Sequence, residues 1–191
     1  MSNVNTNYAL NPVLLSHLFS HAEALRGTYS RLLTFRMDFF YLKRTPLFEQ
    51  RINDWSCRDM YMLAERLIDT SNIVGYSWVM ERTAQHGIHF HAMFYLNGHL
   101  HQKYYPTAQD ALQLWSCLTQ GQGYAHICDP GNNNYPVNGQ GKFNYHHEQR
   151  FNELYYTLSY LAKEEQKEGL YCYGLSDVPE PDGRGRPRKE M

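Results

Sequence analysis

Apolar residues along this chain follow two rhythms, one of period two and one of period three to four. From Ala9 to Arg26, Leu10, Leu14, Leu18 and Leu25 recur at near-helical spacing, interrupted by Pro12, and predict a leading helix packed on the domain. Arg31 to Tyr41 switches to alternation. Leu33, Phe35, Met37 and Phe39 share one face of a first strand, and Thr45-Pro46 follows as a breaker. Asn53 to Thr70 returns to helical spacing through Met60, Leu63 and Leu67, with Asp54 or Ser56 near its start. Ile73 to Arg82 and Gly87 to Leu96 read as two more strands, and the short link Thr83–His86 predicts a hairpin between them. Asn97-Gly98 closes the hairpin, and Thr107 to Leu118 predicts a further helix.

From Thr119 to Lys142 the composition turns to Gly, Asn, Gln and Pro, which predicts loop with one short strand at Tyr124–Cys128. Phe143 to His147 is a candidate sheet strand, Arg150 to Lys167 a third internal helix, and Leu170 to Leu175 a last short strand. This order predicts an α+β fold: a single domain with a central antiparallel sheet flanked by helices, of the ferredoxin-like kind. The organisation expected is an N-terminal helical extension over 1–28, the main domain over 29–177 and a flexible basic tail over 178–191, too rich in Pro, Gly and charge to pack.

Composition narrows the class. With 191 residues and 42% hydrophobic content there is enough material for a core, so disorder is excluded for most of the chain. No apolar run approaches the roughly 20 residues that span a bilayer. Met1 to Asn7 is polar and uncharged, unlike a signal peptide, so a cytoplasmic protein without a membrane partner is expected. The net charge of -1 argues against nucleic-acid binding by bulk electrostatics, although Arg184, Arg186, Arg188 and Lys189 concentrate positive charge in the last eight residues. Cys57, Cys117, Cys128 and Cys172 are scattered without a C-x-x-C, which favours reduced thiols.

Candidate chemistry begins at Glu81 and His89-Phe90-His91. Residues i and i+2 of a strand point to one face about 6–7 Å apart, so two imidazoles there can converge on one metal ion. Across a short hairpin Glu81 comes alongside them. Two histidines and a carboxylate leave coordination positions open for a substrate oxygen. Histidines in strands are also ordinary packing residues, and His99-Leu100-His101 repeats the spacing after a turn without an upstream carboxylate. His86 and the adjacent His146-His147 are weaker candidates, because neighbouring strand residues face opposite ways.

A second constellation is Tyr156, Tyr160 and Lys163, spaced i, i+4 and i+7, which share one helical face while Leu154, Leu158 and Leu161 supply a separate apolar one. A phenol with a pKa near 10 becomes a nucleophile only beside a polarised electrophile and a cation. Lys163 supplies the cation.

Taken together, Glu81 with His-Phe-His, and Tyr156-x-x-x-Tyr160-x-x-Lys163 on a later helix, resemble the HUH endonucleases: rolling-circle replication initiators, relaxases and related transposases. The segment Leu32-Leu33-Thr34-Phe35-Arg36-Met37-Asp38 resembles their strand-borne first motif, and the Arg-x-Asp element looks most like the YagK/YfjJ C-terminal-domain family, which includes inovirus-type replication proteins. The resemblance covers roughly residues 30–175. It implies an HUH fold, a divalent cation (Mg²⁺ or Mn²⁺) on His89, His91 and Glu81, and attack by Tyr160 on a single-stranded DNA phosphate to leave a 5′-phosphotyrosine. Tyr156 would make a second transfer and Lys163 would steady charge on the phosphate. Ligand softness alone admits Zn²⁺ as well. Arg36 is then a DNA-binding candidate, and Asp38 either a further metal-site contact or a salt-bridge partner of Arg36.

The tail segment Gly183-Arg184-Gly185-Arg186-Pro187-Arg188-Lys189 resembles an AT-hook for the minor groove of A·T-rich DNA, or serves only as a solubilising tail. Tyr104, Tyr105, Tyr124 and Tyr135 flank polar loops, where exposed rings can stack on unpaired bases. There is no P-loop signature, so unwinding of origin DNA is expected from a host helicase. Two other readings remain open at this level: a non-catalytic DNA-binding regulator that retains the fold, and a metal-dependent hydrolase of small substrates. Oligomeric state is not readable.

Overall fold

The alternation from Arg31 to Tyr41 becomes β1, an inner strand of a six-stranded sheet. A computed structural model describes residues 4–50, 52–131, 137–167 and 172–180. Along the chain run α1 (Pro12–Thr28), β1 (Arg31–Tyr41), α2 (Pro46–Gln50), α3 (Asn53–Ser71), β2 (Ile73–Thr83), β3 (Gly87–Asn97), α4 (Tyr105–Leu118), β4 (Gly123–Ile127), β5 (Gly141–Asn144), α5 (Glu148–Leu161) and β6 (Tyr173–Leu175). The sheet order is β4-β1-β3-β2-β6, with every pairing antiparallel. One edge of β1 is shared: β4 pairs with Met37–Tyr41 and β5 with Arg31–Thr34. The result is a single-domain α+β protein with helices on both faces of the sheet.

The expected hairpin joins β2 to β3, and Gly87 turns it at φ 63°, a conformation that L side chains rarely adopt. Residues of odd number on β1 and even number on β3 face one helical layer. Phe35, Met37, Phe39, Phe90 and Phe94 bury there against Met60, Leu63 and Leu67 of α3 and Trp115 of α4. The opposite residues meet α1 and α5, where Leu32, Met93 and Tyr95 pack on Ala22, Leu25, Phe151 and Leu158. Each fully buried Leu or Phe contributes about 1.5–3 kcal/mol. At the other end of that second face, polar residues replace the apolar ones.

The structure departs from the expected order at three points. The helix predicted to reach Lys167 ends at Leu161. The N–H groups of Ala162 and Lys163 bond back three residues, to Ser159 and Tyr160, in a tightened last turn. The N-terminal segment then captures the chain. Asn11 N–H donates to Ala162 O at 2.8 Å, Glu164 N–H donates to Ala9 O at 2.9 Å, and Leu10 bridges Lys163. Long-range pairing thus overrides the local helical pattern. Second, α2 was not anticipated, because five residues are too few for a periodic signal. Third, Cys57 on α3 and Cys172 ahead of β6 form a disulfide with a Cα–Cα separation of 6.8 Å, while Cys117 and Cys128 are not disulfide-bonded. The fold brings together two thiols 115 residues apart; wide spacing in sequence says nothing about that.

No helix among the described residues is long and apolar enough to cross a membrane. Arg184, Arg186, Arg188, Lys189 and Tyr135 lie outside the described residues.

Candidate metal centre and tyrosine cleft

Strand register builds the metal group. Glu81 on β2 stands opposite His89 on β3, and His91 follows two residues on, so the three side chains share one face. All three are buried, and one ligand atom from each lies within 4.8 Å of the others. Glu81 Oε2 is 3.3 Å from His91 Nε2 and 3.8 Å from His89 Nε2. Each imidazole has its far nitrogen already committed. His91 Nδ1–H donates to Asp38 Oδ1 at 2.7 Å, and His89 Nδ1–H donates to the Gly87 carbonyl at 3.1 Å. Both therefore turn Nε2 inward, as backing hydrogen bonds do in metal sites.

Asp38 lies directly across from His91 on β1, and its carboxylate also pairs with Arg36 at 3.2 Å. Asp38 thus bonds both Arg36 and the candidate ligand His91. Burial would raise its pKa, but His91 and Arg36 outweigh this and hold it well below the usual carboxylate range. Burial also acts against ionised Glu81, yet His91, Lys167 and Lys163 bring it down to about 2. Burial, with His91 beside it, drops His89 to about 4, so it is neutral at physiological pH and its lone pair is available. Burial pushes His91 down too, but Asp38 reverses that and its pKa is raised.

Two lysines complete the cluster. Lys163 Nζ lies 3.1 Å from Glu81 Oε2, and Lys167 Nζ 3.0 Å from Oε1. Despite these ion pairs, Oε2 has no aligned hydrogen bond among the described residues. A buried carboxylate oxygen aimed between two inward imidazole nitrogens is a donor set for a cation, so this group can hold a metal ion.

The predicted tyrosines come to the same place. Tyr160, in the last turn of α5, sets its ring edge-on to His91 with centroids 5.9 Å apart. Lys163 Nζ donates to its hydroxyl at 3.1 Å. Lys163 does this from beyond the helix end; the tightened turn returns it to the side of Tyr160. Glu81 and Tyr160 raise the Lys163 pKa against the lowering effect of burial, keeping it charged. Tyr156, one turn earlier, lines a cleft of about 330 Å³ with Tyr160, His91, Asp38 and Arg36. The Arg36 guanidinium is buried there, 5.1 Å from the centre of the Tyr160 ring.

Other candidates stand apart from this group. His99 bonds Ser30, and His146 and His147 contact each other ahead of α5. Tyr104 stacks on Phe35 in the core. Tyr155 packs on Phe19 and bonds Glu23. Two contributors went unread. Lys167 was placed four residues after Lys163, a spacing that could have flagged it. The N-terminal segment gave no signal: Asn5 N–H bonds Ser159 Oγ at 2.9 Å, and Tyr8 sits edge-on to Tyr160 at 5.6 Å. No family model, curated protein or solved structure matches the chain, so the site is read from its own chemistry.

Proposed function

We propose that the protein is a metal-dependent endonuclease and strand transferase acting on single-stranded DNA through a covalent tyrosine intermediate, an activity suited to initiating rolling-circle replication. The observation that supports this most is the meeting of Tyr160 with His91 and Lys163 at one cleft, beside the buried Glu81, His89 and His91. A nucleophile, a cation and a metal-ligand group within contact of one another are the parts that phosphoryl transfer needs.

Two imidazole nitrogens and one carboxylate suit Mn²⁺, and accept Mg²⁺ less readily because it prefers oxygen ligands. When bound, such an ion supplies Lewis-acid polarisation of a phosphate oxygen. The chain's own residues do the rest. Lys163 lowers the cost of charge on the Tyr160 oxygen. Tyr160 Oη bonds to phosphorus while the bond from phosphorus to the 3′-oxygen breaks. The phenol proton passes to water in the cleft, and the released 3′-oxygen takes up another. The product is a 5′-phosphotyrosine and a free 3′-hydroxyl. Tyr156, on the same wall, is positioned for a second transfer.

The test is incubation of the full chain with Mn²⁺ and a panel of labelled single-stranded oligonucleotides, followed by denaturing electrophoresis. A gel-stable adduct that Tyr160→Phe abolishes and chelation prevents is expected. Release of phosphate from small phosphoesters without any adduct would favour a small-substrate hydrolase instead.

A further inference from the structure

Beside the metal group, three rings stand in a row across three strands. Phe40 of β1 faces His89 of β3 on one side and Tyr124 of β4 on the other, both in register. The rings are nearly parallel: Phe40 and His89 are 5.5 Å apart at 8°, and Phe40 and Tyr124 are 4.9 Å apart at 12°. The row therefore begins at a metal-ligand candidate and ends at the sheet edge, since β4 is the last strand on that side. Tyr124 is 44% exposed there. Its inner ring face is covered by Phe40, and beyond its outer face the sheet has no further strand.

We propose that Tyr124, backed by Phe40, is a stacking subsite for one unpaired nucleobase flanking the phosphate that Tyr160 attacks. This deepens the proposed function and rests on it. A flat ring held upright by a second ring loses little freedom when a base stacks on it, and every base offers a π-face, so the subsite accepts any sequence. The chain's net charge of -1 offers little bulk attraction for phosphates, and a stacking site supplies affinity that charge does not. The row also aligns the base with the metal group, because the two share the face of the sheet that carries His89, His91 and Asp38.

The experiment measures binding of a fluorescein-labelled 12-nucleotide oligothymidylate to the full chain in chelator, by anisotropy, beside the adduct assay. Tyr124→Ala and Tyr124→Leu are expected to weaken binding by roughly 5- to 100-fold, with Tyr124→Phe and Tyr124→Trp close to wild type. Circular dichroism and a single cooperative melt certify the fold of each variant, including Tyr124→Ala, which loses the packing of its ring on Phe40. Wild-type affinity in Tyr124→Ala, or full retention in Tyr124→Leu, overturns the subsite. If the adduct still forms in that case, only this inference falls. If the wild type neither binds the oligonucleotide nor forms an adduct, both readings fall.

Discussion

Asp38 and His91 face each other across β1 and β3, and the 2.7 Å hydrogen bond between them fixes which imidazole nitrogen points toward Glu81. The bond makes Asp38 a positioning residue. Asp38→Asn keeps the volume but exchanges a charged acceptor for an amide that can present an N–H to the ring. The expected outcome is a loss of Mn²⁺ affinity of about 10- to 100-fold, measured by titration calorimetry. Unchanged affinity would mean that Asp38 serves only Arg36.

Glu81 is the counter-ion for two buried ammonium groups, Lys163 and Lys167. Glu81→Gln removes the charge and leaves both without a counter-ion, with only the hydrogen bonds of Lys163 to Tyr160 and Gln166 and of Lys167 to the Lys163 carbonyl. In chelator the variant is expected to lose about 3–5 kcal/mol of stability in urea denaturation. Adding Lys167→Met should return part of that loss, because the second substitution removes one of the orphaned cations. A loss under 1 kcal/mol would show that their remaining hydrogen bonds hold the lysines without a counter-ion.

A cation bound only by the folded chain raises its stability by mass action, about 2.7 kcal/mol at one hundred times Kd. Mn²⁺ should therefore raise Tm in a concentration-dependent way, with reversal by chelator. The double variant His89→Ala/His91→Ala should show no such shift. An equal shift in that variant would place the binding elsewhere.

His21 of α1 adds to the pH dependence that His89, lowered to the same range, also gives. Burial lowers the His21 pKa from 6.5 to about 4, only partly countered by the backbone of Ser176, whose Oγ also lies 2.9 Å from Nε2. Nδ1 is buried without a hydrogen-bond partner among the described residues, so a proton there has no acceptor. Above pH 6.5 the ring is neutral in both states and stability is complete. As pH falls below 6.5 the unfolded chain gains a proton that the folded chain refuses, and stability is lost until about pH 4. The loss is at most ~3 kcal/mol. His21→Gln should remove its share of this acid-side loss in denaturant titrations, leaving the share that His89 gives.

Much of the frame was legible because its signals are local. The alternation in Arg31–Tyr41 and the short Thr83–His86 link define β1 and the hairpin, and with them the face shared by Glu81, His89 and His91. The convergence of Tyr160 on His91 was expected only from the resemblance, since no local pattern specifies how α5 crosses the sheet. What stayed hidden was non-local. The end of α5 depends on residues 9–11 pairing more than 150 positions away, and the role of Lys167 depends on that ending. Asp38 was readable as a candidate, but its choice between Arg36 and His91 needed the register of β1 on β3, which satisfies both.

The most direct measurement is peptide mass spectrometry of the protein after reaction with single-stranded DNA and Mn²⁺, followed by nuclease trimming. A nucleotide 5′-phosphate carried on the Tyr160 peptide, and missing from Tyr160→Phe, is the expected result. Attachment elsewhere that survives Tyr160→Phe, or no attachment under conditions in which Mn²⁺ and the oligonucleotide both bind, would contradict the assignment of Tyr160 as the nucleophile at this centre.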